Sequence, residues 1–437
     1  MKIESVKKNR DDKSVPIQTT LQRLKSIFEK KNLGVEFEIV EVVDRIFWCG
    51  VSFPNFFIKS TGKGDTAEKA MVSGVAEGME RLSLGFIFKN HDFLHFIVNE
   101  PSVSIADFNN FSFRKGYETN HQSKIENPFE IEKIVSGAGY TDQQIQDLKN
   151  RDKSNVWIDG FNLSNGRKTK VPFHLCIDVA GSNGVAIGNT KEEAIYQACC
   201  ELIERYVGFE VIKNKTILPT VDPVTIKDKV ILSQLESCRR QGLDFIIKDL
   251  SFGMKAKSYG VFVPDFDLED GASVFSIGTS FNSDVALKRA ITEFFQGRTA
   301  DMFFKKDPKA PKHSKPLEDL SINTRSKNGK CYGDMSFLKK GTTVSFDPVF
   351  TEDFKEDIDS ILKICDQLKS EVIAIDHSHP WFELPVISVF MPNISDINIK
   401  GMSSSGFSIP DMYKEQEQNT GFALKFLESF YEDCKKA

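Results

Sequence analysis

Leu21, Leu24, Ile27 and Phe28 recur three or four positions apart on one face of a 3.6-residue repeat. Residues 18–32 are therefore predicted to form an amphipathic helix. The period then shortens to two. Val35-Glu-Phe-Glu-Ile-Val and Ile46-Phe-Trp-Cys-Gly-Val-Ser-Phe alternate as half-buried strands do. A helix over 65–86 follows, and a similar strands-then-helix order leads into a helix over 190–212, where Asn189 or Thr190 can serve as N-cap. Strands at 244–249, 258–263 and 273–280 precede a third helix, 286–298. Helix 353–369 with strands 371–376 and 385–391 closes the core, and a last helix covers 413–434 within a helical tail, 400–437. Two stretches break the pattern. Residues 100–155 turn polar after Phe113 and are expected to be a loop-rich insertion offering a partner or substrate surface. Residues 305–343 are Lys-rich, with Pro308, Pro311 and Pro316, and form another excursion. The interleaving predicts one mixed α/β (α+β) domain over 1–437.

Three of these helices carry charges that their composition does not suit. Glu77-Gly-Met-Glu80-Arg81 and Glu201-Leu-Ile-Glu204-Arg205 repeat one signature, Glu-x-x-Glu-Arg. At roughly 100° per residue each set shares one helix face, and Glu193 lies about three turns before Glu204 on nearly the same line. On a solvated helix such a set is ordinary decoration. Here the neighbours are Ala70, Met71, Val72, Val75 and Ala76 for the first, and Ala194, Ile195, Ala198, Cys199, Cys200, Leu202 and Ile203 for the second. Helices of that composition are buried, and buried charges need partners or metals. Carboxylates on two such helices repel unless a cation lies between them, and hard oxygen donors point to Mg²⁺. On the third helix Arg289, Glu293 and Gln296 make a polar stripe beside Ala290, Ile291, Phe294 and Phe295. An Arg facing carboxylates and a metal suggests a bridging polyanion, and a nucleoside triphosphate fits.

These segments resemble the YcaO family of ATP-dependent peptide-backbone-modifying enzymes. The likeness rests on Gly62-Lys-Gly-Asp-Thr-Ala-Glu-Lys-Ala with the run Ser73 to Arg81, on Ser182 to Thr190 with Glu193 to Arg205, and on Ala286 to Arg298. It spans roughly residues 15 to 400. It is strongest to the enterobacterial subgroup, described as an accessory factor for methylthiolation of a small-subunit ribosomal protein, and extends to Met391-Pro-Asn-Ile-Ser-Asp396. The resemblance implies mixed and antiparallel sheets in two pseudo-repeated halves around an ATP site. It implies ATP and Mg²⁺ held by Ser73, Glu77, Glu80, Asn189, Glu193, Glu201, Glu204, Arg205, Arg289 and Glu293, with Glu77, Glu80, Glu193, Glu201 and Glu204 as the metal set. Lys13 stands near a position where the family places an ATP-contacting residue, and is read here as an ordinary solvated lysine. The chain ends Phe-Tyr-Glu-Asp-Cys-Lys-Lys-Ala rather than in the Pro-rich tail of azoline-forming members, and stops short of the subgroup's helical extension. A stand-alone azoline synthase is not expected.

Composition narrows the remaining classes. Forty per cent hydrophobic residues, with 37 Phe, are ample for a core, and a net charge of −5 disfavours a nucleic-acid-binding face. No apolar run approaches the ~20 residues that span a bilayer, and the charged N-terminus is unlike a secretory signal, so a cytoplasmic protein is expected. The eight Cys form no Cys-x-x-Cys pair, and reduced thiols are expected. Gly62-Lys63-Gly64 has a glycine-lysine pair but not the full phosphate-loop pattern, and the glycines at 181, 184 and 188 do not spell a dinucleotide fingerprint. Asp376-His377-Ser-His379 lacks a third soft ligand and is read as a surface turn.

The residues and the resemblance together predict an ATP-dependent enzyme. Carboxylates hold Mg²⁺ on the triphosphate, and Arg205 and Arg289 act catalytically by balancing developing phosphate charge. The γ-phosphate passes to a peptide amide oxygen, which opens the backbone to a nucleophile and yields an azoline, thioamide or amidine. A peptide or protein substrate, a small-subunit ribosomal protein among the candidates, and a separate partner protein are implied; a homodimer is an open alternative. The competing class is an ATP-binding adaptor without peptide chemistry of its own that recruits a ribosomal or sulfur-transfer partner.

Overall fold

The computed structural model describes residues 1–31, 34–54, 58–84, 118–119, 125–151, 156–267, 273–296, 298, 330–331, 334–378 and 383–396. The tail 400–437 with its helix 413–434 lies outside the described residues, as do 100–117 of the polar stretch and 305–329 of the Lys-rich one.

In chain order, helix α1 (Ile17–Lys31) precedes an antiparallel meander of β1 (Glu36–Val43), β2 (Ile46–Phe53) and β3 (Ile58–Gly64), and helix α2 (Ala67–Ser83) packs across β2 and β3. The sequence pattern missed β3 because Gly62 and Gly64 interrupt any apolar alternation. The glycines are there for contact with the helix: a Cβ on Gly62 would lie 2.0 Å from the Ala70 carbonyl oxygen and 2.1 Å from the Gly74 nitrogen.

Next come β4 (Glu118–Thr119), the single turn α3 (Ile131–Ile134), α4 (Asp142–Arg151), β5 (Val156–Asn162), β6 (Arg167–Pro172), α5 (Phe173–Ala180) and β7 (Val185–Ile187). Here the expectation of a loop-rich insertion needs correction. Where described, residues 125–151 carry two helices, and Ile125, Phe129, Ile131, Ile134 and Val135 are buried. A few apolar residues among many polar ones suffice to fasten the segment to β6 through the Pro128–Lys170 bridge.

Helix α6 (Lys191–Asn214) follows, then β8 (Thr220–Asp222), α7 (Lys229–Arg240), β9 (Ile246–Asp249), β10 (Lys257–Asp267), β11 (Ser273–Ser280) and α8 (Ser283–Phe295). The last elements are β12 (Lys330–Cys331), β13 (Thr343–Ser345), α9 (Phe354–Gln367), β14 (Ile373–Asp376) and β15 (Val386–Phe390). Two six-stranded sheets result, in the orders β12-β11-β10-β9-β8-β13 and β4-β5-β14-β15-β7, the second with β6 attached to β5. All described pairs are antiparallel except β13 with β8. The class is therefore mixed α/β with antiparallel and mixed sheets, as expected.

α6 packs against β7 and β15 of one sheet and β11 of the other, and is buried on almost every side. Its start is fixed by Thr190, whose hydroxyl accepts the Glu193 amide at 3.2 Å; of the two candidate caps, Thr190 is the one used. α8 begins at Ser283, three residues before the predicted start, because the Asn282 side chain caps it by accepting from the Asp284 amide. β11 meets α8 as β3 meets α2: a Cβ on Gly278 would lie 2.2 Å from the Ala286 carbonyl oxygen. His377, expected in a surface turn, is buried, with Nε2 2.8 Å from the Ser388 hydroxyl. Among the described residues no helix is long and apolar enough to cross a membrane.

Candidate functional site

Three sheet edges open toward one another: β3, β7, and the part of β11 beyond its short pairing with β12. An edge strand presents unpaired amides and carbonyls, which need partners when buried. The four glutamates of the two Glu-x-x-Glu sets supply them. Glu77 accepts the Thr61 amide of β3 at 3.3 Å and Glu80 the Ile187 amide of β7 at 2.9 Å. Glu201 accepts the Gly184 amide just ahead of β7 at 3.0 Å, and Glu204 the Thr279 amide of β11 at 3.1 Å. The edge carbonyls find cations and amides. Arg81 donates to the Lys59 oxygen at 2.5 Å, Arg289 to the Thr279 oxygen at 3.1 Å, and Gln296 to the Thr61 oxygen at 3.2 Å. Each carboxylate is thus fixed at one oxygen by backbone, and the other oxygen of Glu77 pairs with Arg81.

The electrostatics are those of crowded like charges. Burial pushes the Glu80 carboxyl well above the usual carboxylate range, and Glu201 and Glu77 push it further. Burial also raises Glu201, helped by Glu204 and opposed by Arg205 and the Gly184 amide. Buried carboxyls whose proton affinity is raised by burial and by neighbouring glutamates are what a divalent cation relieves, and oxygen donors of this kind fit Mg²⁺. Among the described residues no three acidic, Cys or His side chains already converge as a metal cage. The glutamates instead each lean on a strand edge.

Glu193 is held differently. Its carboxylate accepts the Ser14 amide at 3.0 Å and the Ser14 hydroxyl at 2.6 Å, the Asn189 amide at 3.3 Å, and pairs with Lys13 Nζ at 3.3 Å. Burial pushes its carboxyl up, but Lys13, Ser14 and Asn189 together outweigh that and hold it below the usual range. Asn189 in turn accepts from Thr20 at 3.1 Å. Lys13 is therefore no bystander: it pairs with Glu193 and its charge is felt at Glu80, which corrects its reading as a solvated lysine. The segment that carries it is bolted into the interior. Lys8, Asp12 and Asp357 form a fully buried charged trio, with Nζ 2.9 Å from Asp12 and 2.7 Å from Asp357, and the Tyr196 and Ser280 hydroxyls donate to Asp12.

The predicted polar stripe of α8 is split among three partners. Arg289 makes no pair with Glu293; its second donor goes to Gln197, whose own amide reaches the Asp12 carbonyl at 3.3 Å. Glu293 instead pairs with Lys63 of β3, and Gln296 reaches Thr61. Lys63 is the residue that sequence reasoning dismissed with the failed phosphate-loop pattern. Burial lowers its amine to about 8, with Arg205 and Arg289 acting in the same direction and Glu204 and Glu201 opposing. Ser73 is half-buried one turn before Glu77 on the same helix face. All ten expected residues thus lie on α2, on α8, or on α6 and the turn leading into it, around the edges of β3, β7 and β11. The described cysteines are buried, and burial pushes the Cys200 thiol up to about 12 and the Cys199 thiol well above its usual range, so neither Cys199 nor Cys200 is a nucleophile at neutral pH.

Comparison with known proteins gives the family and the fold. The family model described as YcaO cyclodehydratase, ATP- and Mg²⁺-binding, matches residues 61–395. A Haemophilus influenzae protein of uncharacterised function is 24% identical over 77% of this chain and 57% of its own length. The Escherichia coli ribosomal protein S12 methylthiotransferase accessory factor YcaO is 24% identical over 80% of this chain and 58% of its own. The chain thus spans a little more than half the length of these curated relatives. Among solved structures, a heterocyclase in complex with substrate and cofactor shares the fold with a TM-score of 0.63 and 18% identity, over 90% of this chain and 54% of the other. The YcaO protein of Methanopyrus kandleri, bound with AMPPCP and Mg²⁺, does so with a TM-score of 0.61 and 16% identity, over 90% and 95%.

Proposed function

Because this chain belongs to the YcaO family, we propose that it is an ATP- and Mg²⁺-dependent protein that phosphorylates a peptide amide oxygen and so activates the backbone for nucleophilic attack. The observation that carries the reading is the meeting of both Glu-x-x-Glu sets at three sheet edges, with Arg205 and Arg289 on the same space. Glu77, Glu80, Glu193, Glu201 and Glu204 would hold the metal, which supplies charge neutralisation of the triphosphate. Arg205 and Arg289 bind phosphate oxygens and stabilise the charge that develops on transfer. The edge amides hold each carboxylate in its orientation, and Lys13 and Ser14 fix Glu193 from the N-terminal side. Ser73 and Asn189 complete the nucleotide-binding set on α2 and ahead of α6. A thiol intermediate of the protein's own plays no part, given the raised Cys199 and Cys200.

The substrate is a peptide or protein, and a ribosomal protein is one candidate by the name of the E. coli relative, which also favours a second reading as an accessory factor acting through a partner. The two are separated by following ADP. Titration calorimetry should detect Mg²⁺-ATP binding that Glu201→Gln and Glu204→Gln each weaken at least about tenfold, roughly 1.4 kcal/mol. Basal ATP hydrolysis should be slow and stimulated by a cognate protein, because a site competent without substrate would spend ATP on water. Unchanged affinity in both variants would sink the metal assignment, and binding without any stimulated turnover would favour the adaptor.

A further inference from the structure

Lys63 has a place in this site that the two Glu-x-x-Glu-Arg motifs do not account for. In the β2–β3 register it stands directly across from Trp48, on the sheet face whose Thr61 is touched by Gln296 of α8. Its amine contacts Glu293 of α8, and the other charges that act on it are Glu201, Glu204 and Arg205 of α6 and Arg289 of α8. The two arginines are not committed to close carboxylates. Arg289 spends its donors on the Thr279 carbonyl and on neutral Gln197. Arg205 stands 3.8 and 3.9 Å from Glu201 and Glu204, and its Nε is buried with no acceptor. Three cations from three elements therefore face one space, and Glu293 is the carboxylate closest to any of them. Like charges gathered in this way call for an anion, as the crowded carboxylates beside them call for a cation.

We propose that Lys63 is a third phosphate-contacting cation beside Arg205 and Arg289, taking an oxygen of the polyphosphate chain of a nucleoside triphosphate, and that Glu293 is the positioning residue that aims its amine. The proposal rests on the ATP reading above. It moves Glu293 from nucleotide ligand to the support of one. A strand supplies the amine because β3 is fixed on both sides, by β2 and by Glu77 and Arg81 of α2, so a long flexible side chain leaves from a rigid root.

The test uses the full chain with Mg²⁺-ATP and with Mg²⁺-tripolyphosphate, which has the phosphates and no nucleoside. Calorimetric affinities are compared for the unaltered chain, Lys63→Met, Lys63→Arg, Glu293→Gln and the double variant Lys63→Met/Glu293→Gln. Loss of one charge-assisted phosphate contact should weaken both ligands about tenfold or more in Lys63→Met, while Lys63→Arg keeps most of the affinity. Glu293→Gln should weaken them in the parent and add nothing once Lys63 is gone, a non-additivity that a merely structural role does not produce. Should Lys63→Met melt early without ligand, Lys63→Gln takes its place with the same expectation. Affinity within twofold of the parent in Lys63→Met, or additive effects in the double variant, overturns the proposal. If the unaltered chain binds neither ligand, the ATP reading itself falls, and the proposal with it.

Discussion

Replacing Lys8 by Met tests how the N-terminal segment is fastened and what it fastens. The amine is fully buried between Asp12 and Asp357, both also fully buried, and its Nζ lies 4.7 Å from the centre of the Tyr196 ring. Methionine keeps the volume and removes the charge, leaving two carboxylates in the interior with no cation. Asp12 retains Tyr196 and Ser280, whereas burial already raises the Asp357 carboxyl despite Lys8. Breaking a buried pair on one side costs about 3–5 kcal/mol. Unfolding entropy near 2.1 cal/mol/K per residue gives roughly 0.9 kcal/mol per degree for a 437-residue chain. The melting temperature should therefore fall by about 3–5 °C if the chain unfolds as one unit. The sign of the pH response follows from Asp357. Its folded pKa is raised, so the folded form binds the extra proton, and acidification through that pKa must stabilise it relative to the unfolded chain. Scanning calorimetry should show the deficit shrinking toward acid pH. Because Lys13 and Ser14 hang from the same segment, Mg²⁺-ATP affinity should fall too. A melting temperature within 1 °C of the parent, or a deficit that grows on acidification, would refute the reasoning.

Two further outcomes are expected. Glu80 and Glu201 both have raised pKa values, so a divalent cation that binds them must displace bound proton, and affinity should rise with pH. Calorimetry in buffers of different ionisation enthalpy should show proton release that is smaller in Glu80→Gln, where Glu201 alone remains to supply it; equal release in parent and variant would remove Glu80 from the cation site. Gly278→Ala would place a Cβ 2.2 Å from the Ala286 carbonyl oxygen and 2.6 Å from the Ala290 nitrogen, forcing α8 off β11. Denaturant unfolding should record a loss at or above the ~1–3 kcal/mol of ordinary overpacking, with Mg²⁺-ATP binding lost alongside as Arg289 moves; a stability unchanged within 0.5 kcal/mol would show that the helix can shift freely.

The sequence by itself determined what is local. α1, α6 and α9 were legible because a 3.6-residue repeat, with the Thr190 hydroxyl capping α6 and the Asp353 carboxylate capping α9, acts within a few residues. That Glu77, Glu80, Glu193, Glu201 and Glu204 are out of place on their helices was legible for the same kind of reason: charges among Ala, Val, Ile and Cys are a contradiction visible without any fold. What those charges meet was not legible. Glu80 is completed by the edge amide of Ile187, Glu193 by Ser14, Arg289 by Gln197, and Glu293 by Lys63, partners brought near only when three sheets stop beside one another. Lys13 looked like a surface lysine because nothing in its own neighbourhood marks it, Lys63 stood only in a glycine-lysine pair that fails the phosphate-loop pattern, and β3 left no apolar pattern because its glycines serve the helix above it. Periodicity and capping are short-range forces and are written into short stretches of chain. The pairing of a carboxylate with a backbone amide on a distant strand edge is decided by where the chain must end its sheets, and that is a property of the folded whole.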